Sequence, residues 1–330
     1  MELFATIMNS ASVITSSRPA SFREASLNVL ICTSPKAGSG AGRDGISHLT
    51  CALQQLGIAS EVTTSIARVR ERTSPAALAN GSCPVIVTAG GDGTLALVAQ
   101  NTPPSTVLVP MPLGTENLLA KHFGHSAKTE SIVTTLLRGH DHAIDAGLAN
   151  GKLFLVMATC GFDAEVVRAM HLRRRGHINR FSYAWPIMRT LGRYRFPVLE
   201  VQWTTGCEAN PDPLAMPPHS CRWAMIFNLP RYAASLAIEA AAKEDDGLLD
   251  FCGLEYGSMF NGIRYLGGIV VGRHIHWQDV KRQAITGCRI SSPARVSYQL
   301  DGDYAGRLPV EIRVLPKHIT LRLPPSRPFG

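Results

Sequence analysis

Three short runs of apolar and β-branched residues constrain this chain most. Leu27–Thr33 (LNVLICT), Pro84–Ala89 (PVIVTA) and Thr106–Pro110 (TVLVP) each end in a loop that carries glycine. Runs of this length, apolar throughout, predict strands buried on both faces. Helical spacing lies between and after them, at Asp44–Leu56, Ile66–Asn80, Thr94–Gln100, Thr115–His122 and Glu130–Arg138, and Ser60–Thr64 adds a strand. Such alternation predicts a parallel sheet covered on both faces, with binding loops at the carboxyl ends of its strands.

The pattern changes after about residue 145. Asn150-Gly151, between Ile144 and Phe154, is a hairpin signal. Strands are expected at 153–159, 197–204, 221–228, 248–254, 284–291, 295–300, 309–314 and 318–323, with helical insertions at about 164–194 and 257–271. Residues 206–219 hold four prolines and read as a loop. The second half is therefore expected to be mostly antiparallel β. Residues 1–26, rich in Ser, Thr and Ala, read as a flexible leader outside the fold.

A length of 330 residues suits two cores better than one. No apolar run reaches the 18 residues that a spanning helix needs. The eight cysteines form no CxxC pair, so they read as reduced thiols of a cytoplasmic protein. His140-Asp141-His142 and His274-Ile275-His276 each put two imidazoles on one side of a strand. No third ligand is evident, so zinc is not expected. The net charge is +8, and residues 168–195 hold eight arginines and no acid, so the rest of the chain is neutral. That segment reads either as a footprint for a polyanion or as a solvated helix face.

The first glycine loop runs from Ser34 through Lys36, Gly38, Ser39 and Gly40 to Gly42. Backbone amides in such a loop approach an anion closely, and a following helix adds its dipole. It is not a Walker loop. Gly40, Gly42 and Gly45 fit GxGxxG with Glu61 downstream, but a polar insertion separates them from the strand, so a dinucleotide site is disfavoured. The second loop is Gly90-Gly91-Asp92-Gly93-Thr94. Its three glycines permit close backbone approach to a ligand, and Asp92 suits a metal or a hydroxyl proton. The plain alternative is a tight strand-to-helix turn with Thr94 as cap. The third loop, Pro112 to Asn117, places Gly114 and Thr115 at a helix start, suited to phosphate or ribose.

SPKAGSG, VTAGGDGTLALV and MPLGTENLLAKHFG, in this order and at these strand ends, resemble the diacylglycerol kinase catalytic family, which includes bacterial lipid kinases and sphingosine kinases. The resemblance continues through AIDAGLANGKLFLVMATCGFDAEV, KEDDGLLD and YQLDGDYAG, nearly the whole chain beyond the leader. It implies an α/β fold with a three-layer nucleotide-binding domain at 27–145, followed by a mostly antiparallel β-sandwich domain at 146–314. A C-terminal strand at about 315–330 would return to the first domain.

By the same resemblance ATP lies between the domains. Its phosphates would be held by Ser34–Gly40, with Thr64, Gly90, Gly91, Gly93, Thr94, Gly114, Thr115, Glu116 and Asn117 around the nucleotide. Asp92 would stand near magnesium and the reacting phosphate, with Asp145 and Asp301 in the same carboxylate set. Asp303, where relatives carry Glu, would be the general base. Arg174 and Arg180 match phosphate-contacting arginines with a spacing that differs by one residue. Lys243, Asp246 and Leu248 match a structural magnesium site, with Asp246 giving the carboxylate and the other two giving backbone carbonyls. Relatives read Gly-Thr-Gly-Asn-Asp where this chain has Glu116, Asn117 and Leu118, so one acidic residue is missing.

The resemblance thus implies a lipid kinase using ATP and Mg2+ on a diacylglycerol-like or sphingoid substrate. It would be cytoplasmic and peripheral at the inner face of an anionic membrane, with no nucleic-acid partner and with a homodimer left open. Arg189, Arg193 and Arg195, with Ile178, Phe181, Trp185, Met188 and Leu191, are candidates for an amphipathic membrane-facing surface, although core packing also explains the apolar stripe. A soluble small-molecule kinase such as an NAD kinase, and an inactive nucleotide-responsive membrane protein, remain alternatives.

Overall fold

The computed structural model describes residues 27–34, 40–171, 192–204, 218–230 and 238–325. The leader, Lys36, Gly38, Ser39, Arg174, Arg180 and most of the arginine-rich segment lie outside these residues.

Strands β1 (Asn28–Thr33), β2 (Ala59–Thr63), β3 (Val85–Gly90) and β4 (Val107–Pro112) pair in parallel in the order β2-β1-β3-β4. Alternate side chains divide between two layers, because successive residues of a strand point to opposite faces. Val29 and Ile31 pack with Val87, Val109 and Met111 under helices α1 (Gly40–Gln55) and α6 (Thr129–Arg138), through Ile46, Leu49, Leu53, Ile132 and Leu136. Leu30 and Cys32 face the other way, with Ile86 and Leu108, toward α2 (Ile66–Arg72), α4 (Asp92–Ala99) and α5 (Leu118–His122). The expected single helix over 66–80 is two, because Ser74 caps a new helix α3 (Pro75–Ala79) whose Pro75 sits in the first turn.

Chain direction changes at β5 (His140–Ala149), which turns at Asn150-Gly151, both at positive φ, into β6 (Lys152–Phe154). β5 pairs with the long β16 (Val310–Leu323), and β16 also runs parallel to β4. The C-terminal strand therefore rejoins the first sheet, while its start pairs with β13 (Gly287–Ser291), which leads on through β8 (Leu199–Thr204) to β9 (His219–Cys221). A second, six-stranded sheet has the order β12 (Val280–Ile285), β11 (Leu249–Leu254), β10 (Trp223–Phe227), β7 (Met157–Cys160), β14 (Ser297–Leu300), β15 (Asp303–Arg307). The two sheets enclose Phe154, Val201, Ile226, Phe251, Ile290, Leu300 and Ile312, giving an antiparallel sandwich core. The far side of the second sheet, with Met157, Trp223, Met225 and Phe227, packs in one cluster with Leu95 and Leu118 of the α/β domain.

Several expected strands are divided. The spans 153–159, 221–228 and 284–291 each break, near Val156, Arg222 and Thr286, and the chain crosses from one sheet to the other there. The spans 309–314 and 318–323 are instead one strand with a register shift between Leu315 and Ile319. His274–His276 is a short 3-10 helix with His274 buried, not a strand. Helix α7 (Phe162–His171) starts the first insertion, and α8 (Met259–Val271) is the second. The seven described cysteines are free thiols, five of them buried.

Candidate active site

Helix α4 begins at Asp92, two residues earlier than its apolar spacing suggests, so Asp92 sits in the first turn. Its carboxylate reaches across to the next loop, accepting from Leu118 N at 2.8 Å and Leu119 N at 3.1 Å. Those amides open α5, whose own N-cap, Asn117, makes no side-chain cap bond. Asp92 is thus the cap of α5 in trans, and it locks the second loop to the third. Burial pushes its carboxyl above the usual range against the pull of the two amides.

Glycine is required where these loops meet. A Cβ on Gly114 would lie 2.6 Å from Gly91 Cα and 2.8 Å from Asn117 Oδ1. The third loop closes on itself, since Asn117 Oδ1 accepts from Gly114 N at 3.0 Å and Asn117 Nδ2 donates to Gly114 O at 2.7 Å. Asn117 holds φ 50° and ψ 53°, a left-handed conformation that Asn tolerates better than most residues. Leu113 N donates to Gly90 O at 2.9 Å, which joins the loops again. Thr94 packs its side chain against the position a Gly90 Cβ would occupy. A small pocket at this junction is lined by Thr88, Gly91, Asp92, Pro110 and Asn117 among others. Gly114 and Thr115 are exposed beside it, and Glu116 lies within 3.9 Å of Lys121 Nζ.

The second half of the chain supplies the opposite wall. Asp301 and Gly302, both at positive φ, form the tight turn between β14 and β15, with Leu300 paired to Asp303. Asp301 turns its carboxylate inward to the break between β6 and β7, accepting from Leu155 N at 2.8 Å and from Val156 N and Met157 N at 2.9 Å. Burial pushes its carboxyl up to about 7 although the three amides favour its charged form, and the nearby Asp92 carboxylate adds to the rise. The turn delivers Asp303 to α4, where a Cβ on Gly93 would stand 3.0 Å from Asp303 Oδ2. Two loops of the first half and one turn of the second therefore converge on the start of α4.

Ser34 follows β1, and Thr64 follows β2, on the same carboxyl edge of the sheet as Gly90. Gly40, Gly42 and Gly45 lie within α1 rather than in a strand-to-helix turn, and both oxygens of Glu61 are bonded by Arg68 at 2.6 and 3.0 Å. Neither observation suits the dinucleotide arrangement.

Asp145 is fully buried. Its oxygens accept from Gly247 N at 2.6 Å and Lys317 N at 2.7 Å, and its amide donates to Glu244 O at 2.6 Å. It thereby anchors the loop of Lys243, Asp246 and Leu248 to the irregular stretch of β16. Asp246 is exposed and accepts from Leu248 N at 3.0 Å. Glu244 Oε2 lies 3.6 Å from His122 Nε2, at the end of α5 opposite Asp92's cap. The bonds of Asp145 join it to the acidic loop. Among the described residues, no group of three or more His, Cys, Asp or Glu side chains has metal-binding geometry. Glu244 and the loop-closing role of Asn117 were not legible beforehand, because their partners are set by tertiary contacts.

Comparison with known proteins accords with this architecture. Residues 28–149 match the diacylglycerol kinase catalytic domain, and residues 156–323 match the YegS C-terminal NAD kinase beta sandwich-like domain. A Mycobacterium tuberculosis diacylglycerol kinase is 27% identical over 304 residues, covering 90% of this chain and 95% of its own. A Bacillus subtilis diacylglycerol kinase is 24% identical over 252 residues, covering 74% and 78%. The fold is shared with a crystal structure of a diacylglycerol kinase from Bacillus anthracis, at a TM-score of 0.64 and 20% identity over 90% of this chain and 97% of that one. With both of its domains matched in order, the chain belongs to the diacylglycerol kinase family.

Proposed function

We propose that the protein is an ATP-dependent lipid kinase acting on a hydroxyl of a diacylglycerol-like or sphingoid lipid. One observation carries the reading: Asp303, from the second half, abuts the first turn of the helix that opens within GGDGT. A helix start fed by glycine loops suits a triphosphate, because its free amides and dipole favour negative charge. Ser34, Thr64 and Thr115 stand at the same sheet edge and would contact the nucleotide. An alcohol is a weak nucleophile at neutral pH. Asp303 would take the hydroxyl proton as the oxygen attacks the γ-phosphorus, the new O–P bond forming while the bond to the β-phosphate oxygen breaks and ADP leaves with its electrons.

By the family resemblance Asp92, in the first turn of α4, and Asp301 would serve an ion held mainly by phosphate oxygens. Magnesium bound there would neutralise charge on the transferring group. Asp246, with the carbonyls of Lys243 and Leu248, is proposed as a separate structural magnesium site. The protein is proposed to work at the cytoplasmic face of a membrane. Among the described residues no helix is long and apolar enough to cross one.

The test follows the label from γ-labelled ATP. The reading expects it in an organic-extractable lipid when the protein is given mixed lipids in detergent micelles. Label appearing only in a water-soluble acceptor such as NAD would overturn it. Gly93→Ala probes the junction further. Gly93 has no left-handed φ, so Ala is tolerated in the helix, but its methyl would push on the Asp303 carboxylate. The variant should melt at or above the wild-type temperature while its turnover falls about tenfold, an effect of displaced geometry. Thermal melts and initial rates check this.

A further inference from the structure

Helix α8 buries one face and leaves the opposite one uncovered. Gly262, Tyr265, Gly268 and Ile269 are buried. Met259, Phe260, Ile263, Val270 and Val271 are exposed by 57, 75, 50, 66 and 67%. At 100° per residue the exposed set, with Gly267 among it, occupies an arc of about 120° directly opposite the buried set. Tyr256 extends the face beyond the helix start and is 58% exposed. Among the described residues, most of the exposed large apolar side chains are on this one surface.

Cations frame it. Residues 256–276 contain no Asp or Glu. Gly257, just before the helix, lies against Phe196 and Arg222, so exposed Arg193 and Arg195 enter near that end. Exposed Arg273 follows the other end. The nearest acids are engaged elsewhere, Asp279 with Arg264 and Glu255 within 3.7 Å of His219. Arg264 itself lies over the Tyr265 and Trp277 rings, off the apolar arc. An apolar face with basic ends matches an anionic bilayer surface. It matches a second copy poorly. Two such helices paired in parallel or antiparallel would bring arginine to arginine at both ends.

We propose that this face of α8 docks the protein on an anionic lipid bilayer. Phe260, Ile263 and Val270 enter the acyl boundary, and Arg193, Arg195 and Arg273 meet headgroup phosphates. The proposal goes beyond the phosphoryl-transfer reading and does not depend on it, because docking is measured without ATP.

The experiment is flotation of the full chain with phosphatidylcholine vesicles containing about a third phosphatidylglycerol, and with pure phosphatidylcholine vesicles. Wild type should float with the anionic vesicles and much less with the neutral ones. Phe260→Ser with Ile263→Ser should lower the partition coefficient about tenfold or more. Arg193→Gln with Arg195→Gln and Arg273→Gln should lower it about tenfold and remove most of its salt dependence. Phe260→Trp gives a readout that does not need the double variant to fold: its emission should shift to the blue on anionic vesicles. The proposal is overturned if wild type stays in solution with anionic vesicles, if the serine variant floats like wild type, or if the tryptophan emission does not move. A wild-type dimer that the serine variant splits, without vesicle binding, would assign the face to a second copy instead.

Discussion

Asp303→Asn is expected to lower turnover by about 10²- to 10⁴-fold, the usual contribution of a positioned general base. The amide keeps the size of the side chain and can still hydrogen-bond, but it cannot accept the substrate proton. Asp303 is exposed at the start of β15, and the turn before it is formed by Asp301 and Gly302, so Asn can keep the backbone there. ATP affinity should therefore stay within a few-fold of wild type, and the melting temperature should hold. Rates under saturating ATP, paired with nucleotide titration by calorimetry, separate the two readouts. A variant that loses binding and turnover together would make residue 303 a nucleotide ligand rather than the base.

Asp301→Ala has the largest expected effect on stability. The substitution strips the acceptor from three amides at the strand break of residues 155–157. Each buried donor left unpaired costs about 1–3 kcal/mol, so a loss of about 3–9 kcal/mol is expected by chemical denaturation. That is a large share of the stability of an ordinary domain. Alanine also fits the positive φ of residue 301 less well than Asp does. Asp301→Asn should cost less, because one oxygen still serves Val156 and Met157.

The pH dependence provides a second check. The carboxyl sits at about 7 in the folded protein, above its value of about 4 in an unfolded chain. The folded state thus holds more protons between these values, and stability falls as pH rises through the window. The stability of wild type relative to the non-titrating Asn variant should decline from pH 5 to pH 8. A flat difference would show that Asp301 stays charged throughout.

The first half of the fold was legible because its strands are uniformly apolar and its helices keep one period. Val29 and Leu30 go to opposite layers for no reason beyond the pleat. The strand breaks were not legible. Either side of Val156, Arg222 and Thr286 favours a strand, and only pairing with distant partners sends the two pieces to different sheets. The missed strand β15 begins at Asp303 and has only a half-buried and exposed pattern, which carries no apolar signal.

The site was legible to a similar degree. The glycines of the second and third loops stood out, and the structure explains two of them by the direct contact of Gly91 with Gly114. The role of Asp92 as a cap for α5 did not stand out, since the amides it binds lie 26 and 27 residues away. Nor did the bonds of Asp145 to Gly247 and Lys317, whose amides lie 102 and 172 residues away. Asp92, Asp145 and Asp301 each accept from backbone amides of distant segments, contacts that a local motif does not announce.

Glycine loops of the first half and the Asp301–Asp303 turn of the second are proposed to enclose one bound triphosphate. A crystal structure with a non-hydrolysable ATP analogue and magnesium measures this directly. The γ-phosphate should lie at the start of α4, against the Gly91 and Gly114 loops, with Asp303 near enough to reach an attacking hydroxyl. A triphosphate seated away from α4, with Asp303 beyond reach of its terminal phosphate, would contradict the assignment.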